Sequence, residues 1–279
     1  MLSFCYREIL FSLMIGLFSC SSQENSKYQE IRRHNEKGEF IYRKSDEYLY
    51  TLPVPERQKR EKYPWEKNLV GNFPRISKEF FRCKGSPLNP VQMTFQDNGE
   101  PIRYFDCDGK HSLPIQNNKE FIFPILIDLL NYIQKKTGKR VVITSGYRCP
   151  KHNTYTDPST YNKTSKHMIG AEVDFYVQGM ENDPEKILSL LTDFYKQSPL
   201  YKGKKEYEEF TIYDGTTNVS TVPIRNKEIF IKLFNKEEGR DTDNRHPYPY
   251  IGVQVRYDRD LYERVFYTWN KAYNHYYRW

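Results

Sequence analysis

The sequence predicts an α+β domain, an antiparallel sheet with flanking helices, preceded by a small β-hairpin unit and a polar tether. Three observations predict it. Two segments, 118–138 and 184–197, repeat apolar residues at helical spacing, whereas 141–144, 209–213, 228–234 and 250–257 read as short strands. Charged residues make up 28% and hydrophobic residues 38% of 279 positions, which suits one folded domain with a polar extension. Proline and aromatic residues crowd residues 20–72, where aliphatic residues are few.

Residues 1–19 read as a signal peptide, with an apolar run from Ile9 to Phe18 that is too short to span a bilayer. Leu17, Phe18, Ser19 and Cys20 resemble a bacterial lipobox, which implies cleavage before Cys20 and lipid on the new N-terminus. An ordinary secretory signal and an uncleaved anchor are the other readings. All three place the remainder outside the cytoplasm, in the periplasm or cell envelope.

Residues 20–72 are dense in charge and tyrosine and interrupted by Pro53, Pro55 and Pro64. Such a composition buries too little apolar surface to offset ordering entropy, so it reads as a flexible tether. Residues 73–115 form the hairpin unit, with VQMTF and IRYFD on either side of Asn98-Gly99. Cys83 and Cys107 flank that hairpin and suggest a disulfide across it. Cys149 is then left over, as a half-buried thiol or a fourth metal ligand.

Residues 116–279 form the main domain. Its first helix, 118–138, carries Phe121, Ile125, Leu126, Leu129, Leu130, Tyr132 and Ile133 near helical spacing, and its strand 141–144 delivers Ser145-Gly146-Tyr147-Arg148. The stretch 149–166 lacks a hydrophobic period and reads as a surface loop, with His152 exposed. Pro184 opens the second helix, and the last 20 residues read as an aromatic-rich terminal helix. The formal charge of +7 is interspersed and comes with no nucleic-acid motif, so nucleic acid is not an expected partner.

The chemistry gathers between Ser145 and Asp174. His167 and Asp174 stand seven residues apart, the aspartate in an apolar strand, and can supply two ligands of one zinc ion. Ser145-Gly-x-Arg148 followed by Ser165-x-His167-x-x-Gly170-x-x-x-Asp174 resembles the zinc D-alanyl-D-alanine carboxypeptidase and murein endopeptidase superfamily, over roughly the last 160 residues. Glu172 stands where that family has a small residue, and it shares a strand face with Asp174.

The resemblance implies a hydrolase acting on peptidoglycan stem peptides through one zinc ion, with Arg148 stabilising charge at the scissile carbonyl and Ser165 supporting the site. A third ligand and a general base come from a later strand in that family, and two alignments stay open here. Asp243-x-x-His246 makes His246 the ligand and Asp243 the base. Alternatively the strand 250–256 is the ligand strand, with Gly252 and Gln254 in place of the functional pair and Glu172 as a substitute ligand. The first alignment implies a membrane-anchored metallopeptidase. The second implies a non-catalytic relative that binds wall peptides or an envelope partner.

Overall fold

The computed structural model describes residues 67–159 and 163–276, together with a strand pair, Phe40–Ile41 with Tyr50–Thr51. The chain divides into a unit from Met1 to Glu61, which holds that pair, and a unit from Lys62 to Trp279. The expected signal peptide, Cys20 and most of the expected tether lie outside the described residues. Among the described residues no helix is long and apolar enough to cross a membrane.

The second unit is α+β, as the sequence predicts. Its sheet comprises β1 (Val141–Ser145), β2 (Glu172–Val177), β3 (Thr211–Ile212), β4 (Ile224–Arg225), β5 (Ile229–Phe234) and β6 (Tyr250–Val255). Their order is β3-β4-β5-β6-β2-β1, with every neighbour antiparallel. Alternation along β2 divides its residues: Val173, Phe175 and Val177 are buried in the core, and Glu172, Asp174 and Tyr176 face the other way. Register places Gln254 opposite Glu172 and Gly252 opposite Asp174, which fixes the floor of the site.

Helix α1 (Pro124–Thr137) covers the core face with Ile125, Leu126, Leu129, Leu130 and Ile133. It begins six residues later than the periodicity predicts. Asn117 and Asn118 adopt positive φ and turn Ile115–Gln116 back on Lys119–Glu120 as a hairpin, and Pro124 then opens the helix. Gly138 ends it in the left-handed conformation. Helix α3 (Pro184–Gln197) matches its expected span and packs on α1, with the Tyr132 and Phe194 rings 5.3 Å apart.

The hairpin Gln92–Phe95 with Pro101–Tyr104 turns at Gly99, as the Asn-Gly signal predicts. Ile76, Phe81, Cys107 and Leu113, from the stretch around that hairpin, belong to the same hydrophobic cluster as α1 and the sheet.

Three expectations are corrected. The stretch 149–166 holds α2 (Pro150–Thr156), whose buried face is polar and aromatic and therefore shows no aliphatic period. Among the described residues the terminal helix is reduced to α5 (Trp269–Asn274), after a hairpin of Tyr257–Asp258 with Glu263–Arg264 and after the short helix α4 (Lys205–Glu208) earlier in the chain. Cys83 and Cys107 are free thiols with sulfurs 3.8 Å apart, not a disulfide, and Cys149 is fully buried.

Candidate metal centre

His167 sits on a 3-10 turn, Lys166–Ile169, whose start is fixed by Ser165: its hydroxyl accepts from the His167 backbone N–H at 3.3 Å. Gly170 closes the turn with φ of 69° and returns the chain to β2. Replacing Ser165 with alanine removes that cap and is expected to cost about 1 kcal/mol, measurable by urea denaturation.

The His167 Nδ1–H donates to the Gly146 carbonyl at 2.6 Å, which leaves Nε2 as the free lone pair. Nε2 lies 3.4 Å from Asp174 Oδ2 and 3.8 Å from Glu172 Oε1. The ligand atoms of His167, Glu172 and Asp174 all lie within 4.8 Å of one another. One imidazole and two carboxylates are donors a catalytic zinc accepts, and the tautomer is the one a ligand needs. The residues therefore fit a divalent ion.

Neighbouring groups hold these carboxylates in place. Gln254 Nε2 donates to Glu172 Oε1 at 2.7 Å, and Asn244 Nδ2 donates to Asp174 Oδ2 at 3.0 Å. Burial disfavours the Asp174 anion, but His167, Arg148 and Asn244 outweigh it and hold the carboxyl below its ordinary range. Burial likewise opposes the His167 cation, yet Glu172 and Asp174 raise its pKa.

Arg148 is buried and is the hub of the ion-pair network at the site. Its Nη2 lies 2.6 Å from Asp241 Oδ2 and 3.9 Å from Asp174 Oδ2, and its Nε lies 3.0 Å from Asp243 Oδ2. Asp243 also accepts from the Ser145 hydroxyl at 3.0 Å and contacts His152 Nε2 at 3.1 Å. His152 Nδ1 in turn meets Asp106 Oδ1 at 2.6 Å. The histidine expected to be exposed thus links two buried carboxylates, as a residue of α2.

The structure places Asp243 and His246 apart from the ligand trio. Asp243 is committed to Arg148, Ser145 and His152, and it does not line the cleft. The His246 imidazole sits among Tyr176, Tyr248 and Tyr250, with ring centroids 4.9, 6.0 and 5.6 Å away. Burial, then Arg240, lowers its pKa. On β6 the position facing Asp174 is Gly252, where an added Cβ would lie 3.0 Å from Asp174 Oδ1 and 3.1 Å from the Phe234 ring. Asp241 and Asn244, which carry no motif spacing, bind Arg148 and Asp174, and their only signal in the sequence is a place within two residues of Asp243.

The Asp243–His152 pair carries a pH dependence of definite sign. Burial opposes ionisation of Asp243, but His152 and Arg148 depress its pKa below 3.8, so its stabilisation is present above that value and is lost as pH falls through the folded pKa. Burial opposes the His152 cation, but Asp243 and Asp106 raise its pKa above 6.5, so that stabilisation is complete below pH 6.5 and fades as pH rises through the folded value. Asp243→Asn is expected to flatten both limbs, as measured by urea denaturation across pH.

The trio opens into a cleft of about 1360 Å³ whose lining includes Arg148, Asp241, Lys166, Arg225, Arg240 and Arg256. Its walls are cationic and its floor is carboxylate-rich. Residues 107–211 match the family model described as Peptidase M15. The match includes Arg148, His167, Glu172 and Asp174 and ends before Asp241, His246 and Gly252. No curated protein and no solved structure matches the chain.

Proposed function

We propose, for a chain that belongs through residues 107–211 to the M15 zinc peptidase superfamily, that it hydrolyses peptidoglycan stem-peptide amides as a D,D-carboxypeptidase or endopeptidase. His167, Glu172 and Asp174 would hold one zinc, which as a Lewis acid would polarise the scissile carbonyl and acidify water. The observation that carries this reading is the His167 tautomer: Nδ1 is tied to Gly146 and Nε2 faces both carboxylates.

The chain's own groups divide the remaining work. Gln254 orients Glu172 and Asn244 orients Asp174. Arg148 lines the cleft and stabilises negative charge that develops at the carbonyl oxygen. Asp241 also lines the cleft, and burial raises its pKa against the pull of Arg148, so it is a better proton acceptor than the depressed Asp243. It takes a proton from the attacking water, which adds to the carbonyl carbon, and the proton passes to the leaving amine. Lys166, Arg225 and Arg256 suit a substrate that carries carboxylates, as stem peptides do.

Cys20 lipidation anchors the protein to a bacterial membrane, and residues 20–72 let the domain reach the wall. The amino-acid pattern at residues 9–20 supports this localisation.

The test is digestion of purified muropeptides followed by mass spectrometry. The unaltered chain is expected to shorten or separate stem peptides, and Glu172→Gln to reduce turnover at least about 100-fold, because a ligand matters no less than the groups that orient it. His246→Ala is expected to leave turnover within a few-fold. Intact muropeptides after incubation with the metal-loaded parent would contradict the enzymatic reading.

Two observations favour a second reading, a non-catalytic relative that binds wall peptides. Gly252 offers no side chain opposite Asp174, and Asp243 is locked beneath Arg148. Calorimetric binding of muropeptides without cleavage would select that reading.

A further inference from the structure

A second cluster of metal-binding side chains shares no residue with the cleft trio. Cys83, Cys107, Cys149 and His111 come from three separated stretches of sequence, and their ligand atoms all lie within 4.8 Å of one another. The Cys107 and Cys83 sulfurs are 3.8 Å apart, and Cys107 Sγ is 3.6 Å from His111 Nε2. A tetrahedral zinc with Zn–S of about 2.3 Å and Zn–N of about 2.05 Å has S···S edges of about 3.8 Å and S···N edges of about 3.6 Å. Both spacings agree with that geometry.

The surroundings are built for the same purpose. His111 Nδ1 meets the Ser112 carbonyl at 3.2 Å, which puts the proton there and aims the Nε2 lone pair at the sulfurs. Backbone N–H groups reach two of the sulfurs, from Gly109 to Cys107 at 3.4 Å and from His152 to Cys149 at 3.3 Å. Such donors favour thiolate. A Cβ on Gly85 would lie 1.9 Å from Cys107 Sγ, so only glycine fits there. A disulfide would use two of the thiols and leave the third beside an imidazole with no role for either.

We propose that Cys83, Cys107, His111 and Cys149 bind a structural zinc ion, separate from the cleft site. Four protein ligands leave no open position, so the ion is structural. It joins the chain segment before the hairpin, the segment after it and the start of α2, and Cys149 is the residue next to Arg148. Binding releases the thiol protons and involves no redox change.

The test uses the full chain, solubilised in detergent, and two measurements. Cobalt reconstitution of the unaltered chain is expected to give intense thiolate-to-cobalt charge-transfer absorption, which the nitrogen and oxygen donors of the cleft cannot produce. Elemental analysis of His167→Ala is expected to retain one equivalent of zinc, and His111→Ala made in that background to lose it. His111→Cys in the same background is expected to restore it, which separates ligation from a folding defect. Absence of charge-transfer bands, or a disulfide between any two of the three cysteines by intact mass and alkylation, would overturn the proposal. Neither result depends on peptidase activity, so failure here and failure of the cleft reading are distinguishable.

Discussion

Arg148→Ala is expected to lower the unfolding free energy by about 3–5 kcal/mol, the usual cost of removing one partner from a buried ion pair. The guanidinium side chain is only 3% exposed and lies against Asp241, Asp243 and Asp174. Burial disfavours its charge, yet the three carboxylates raise its pKa, so the cation is strongly held. Alanine leaves those carboxylates in a low-dielectric site with far less positive charge. Lysine would not restore the arrangement, because one ammonium cannot supply the fork that meets Asp241 and Asp243 together. Chemical denaturation of parent, Arg148→Ala and Arg148→Lys checks this. A loss below 1 kcal/mol for alanine would mean that the network is solvated and not a structural hub.

His167→Ala is expected to weaken metal binding at the cleft by at least about two orders of magnitude and to abolish peptide hydrolysis. It removes the only nitrogen donor of the trio and the bond to the Gly146 carbonyl. The fold should persist, since Ser165 still caps the turn and Met168 and Ile169 still anchor it in the core. Competition titration with a zinc-sensitive dye measures the effect. Unchanged affinity would remove His167 from the ligand set.

The parts of the fold that were legible in the sequence are those governed by local rules. Helix α3 follows from Pro184 and an apolar stripe of Ile187, Leu191 and Phe194, and β5 and β6 follow from runs of β-branched and aromatic residues. The start of α1 was hidden because two asparagines at positive φ made a hairpin out of residues that also fit the helical period. Helix α2 was hidden because its buried face is His152, Asn153 and Tyr155 and not an aliphatic stripe, with His152 and Tyr155 held by polar partners across the fold.

The site was legible in the same uneven way. Arg148, Ser165, His167 and Asp174 stand at motif spacing in one continuous segment. The remainder depends on strand register, which no linear pattern discloses: Gly252 faces Asp174, and Gln254 reaches Glu172. The Cys–His cluster was obscured because its ligands come from three distant stretches, and pairing Cys83 with Cys107 by sequence alone overlooked His111.

Anomalous diffraction at the zinc edge, from crystals of the full chain, locates the cleft metal and its ligands. The expected result is a peak bonded to His167 Nε2, Glu172 and Asp174 at about 2.0–2.2 Å. A cleft with no peak, or a peak ligated by His246 in place of Glu172, would contradict it.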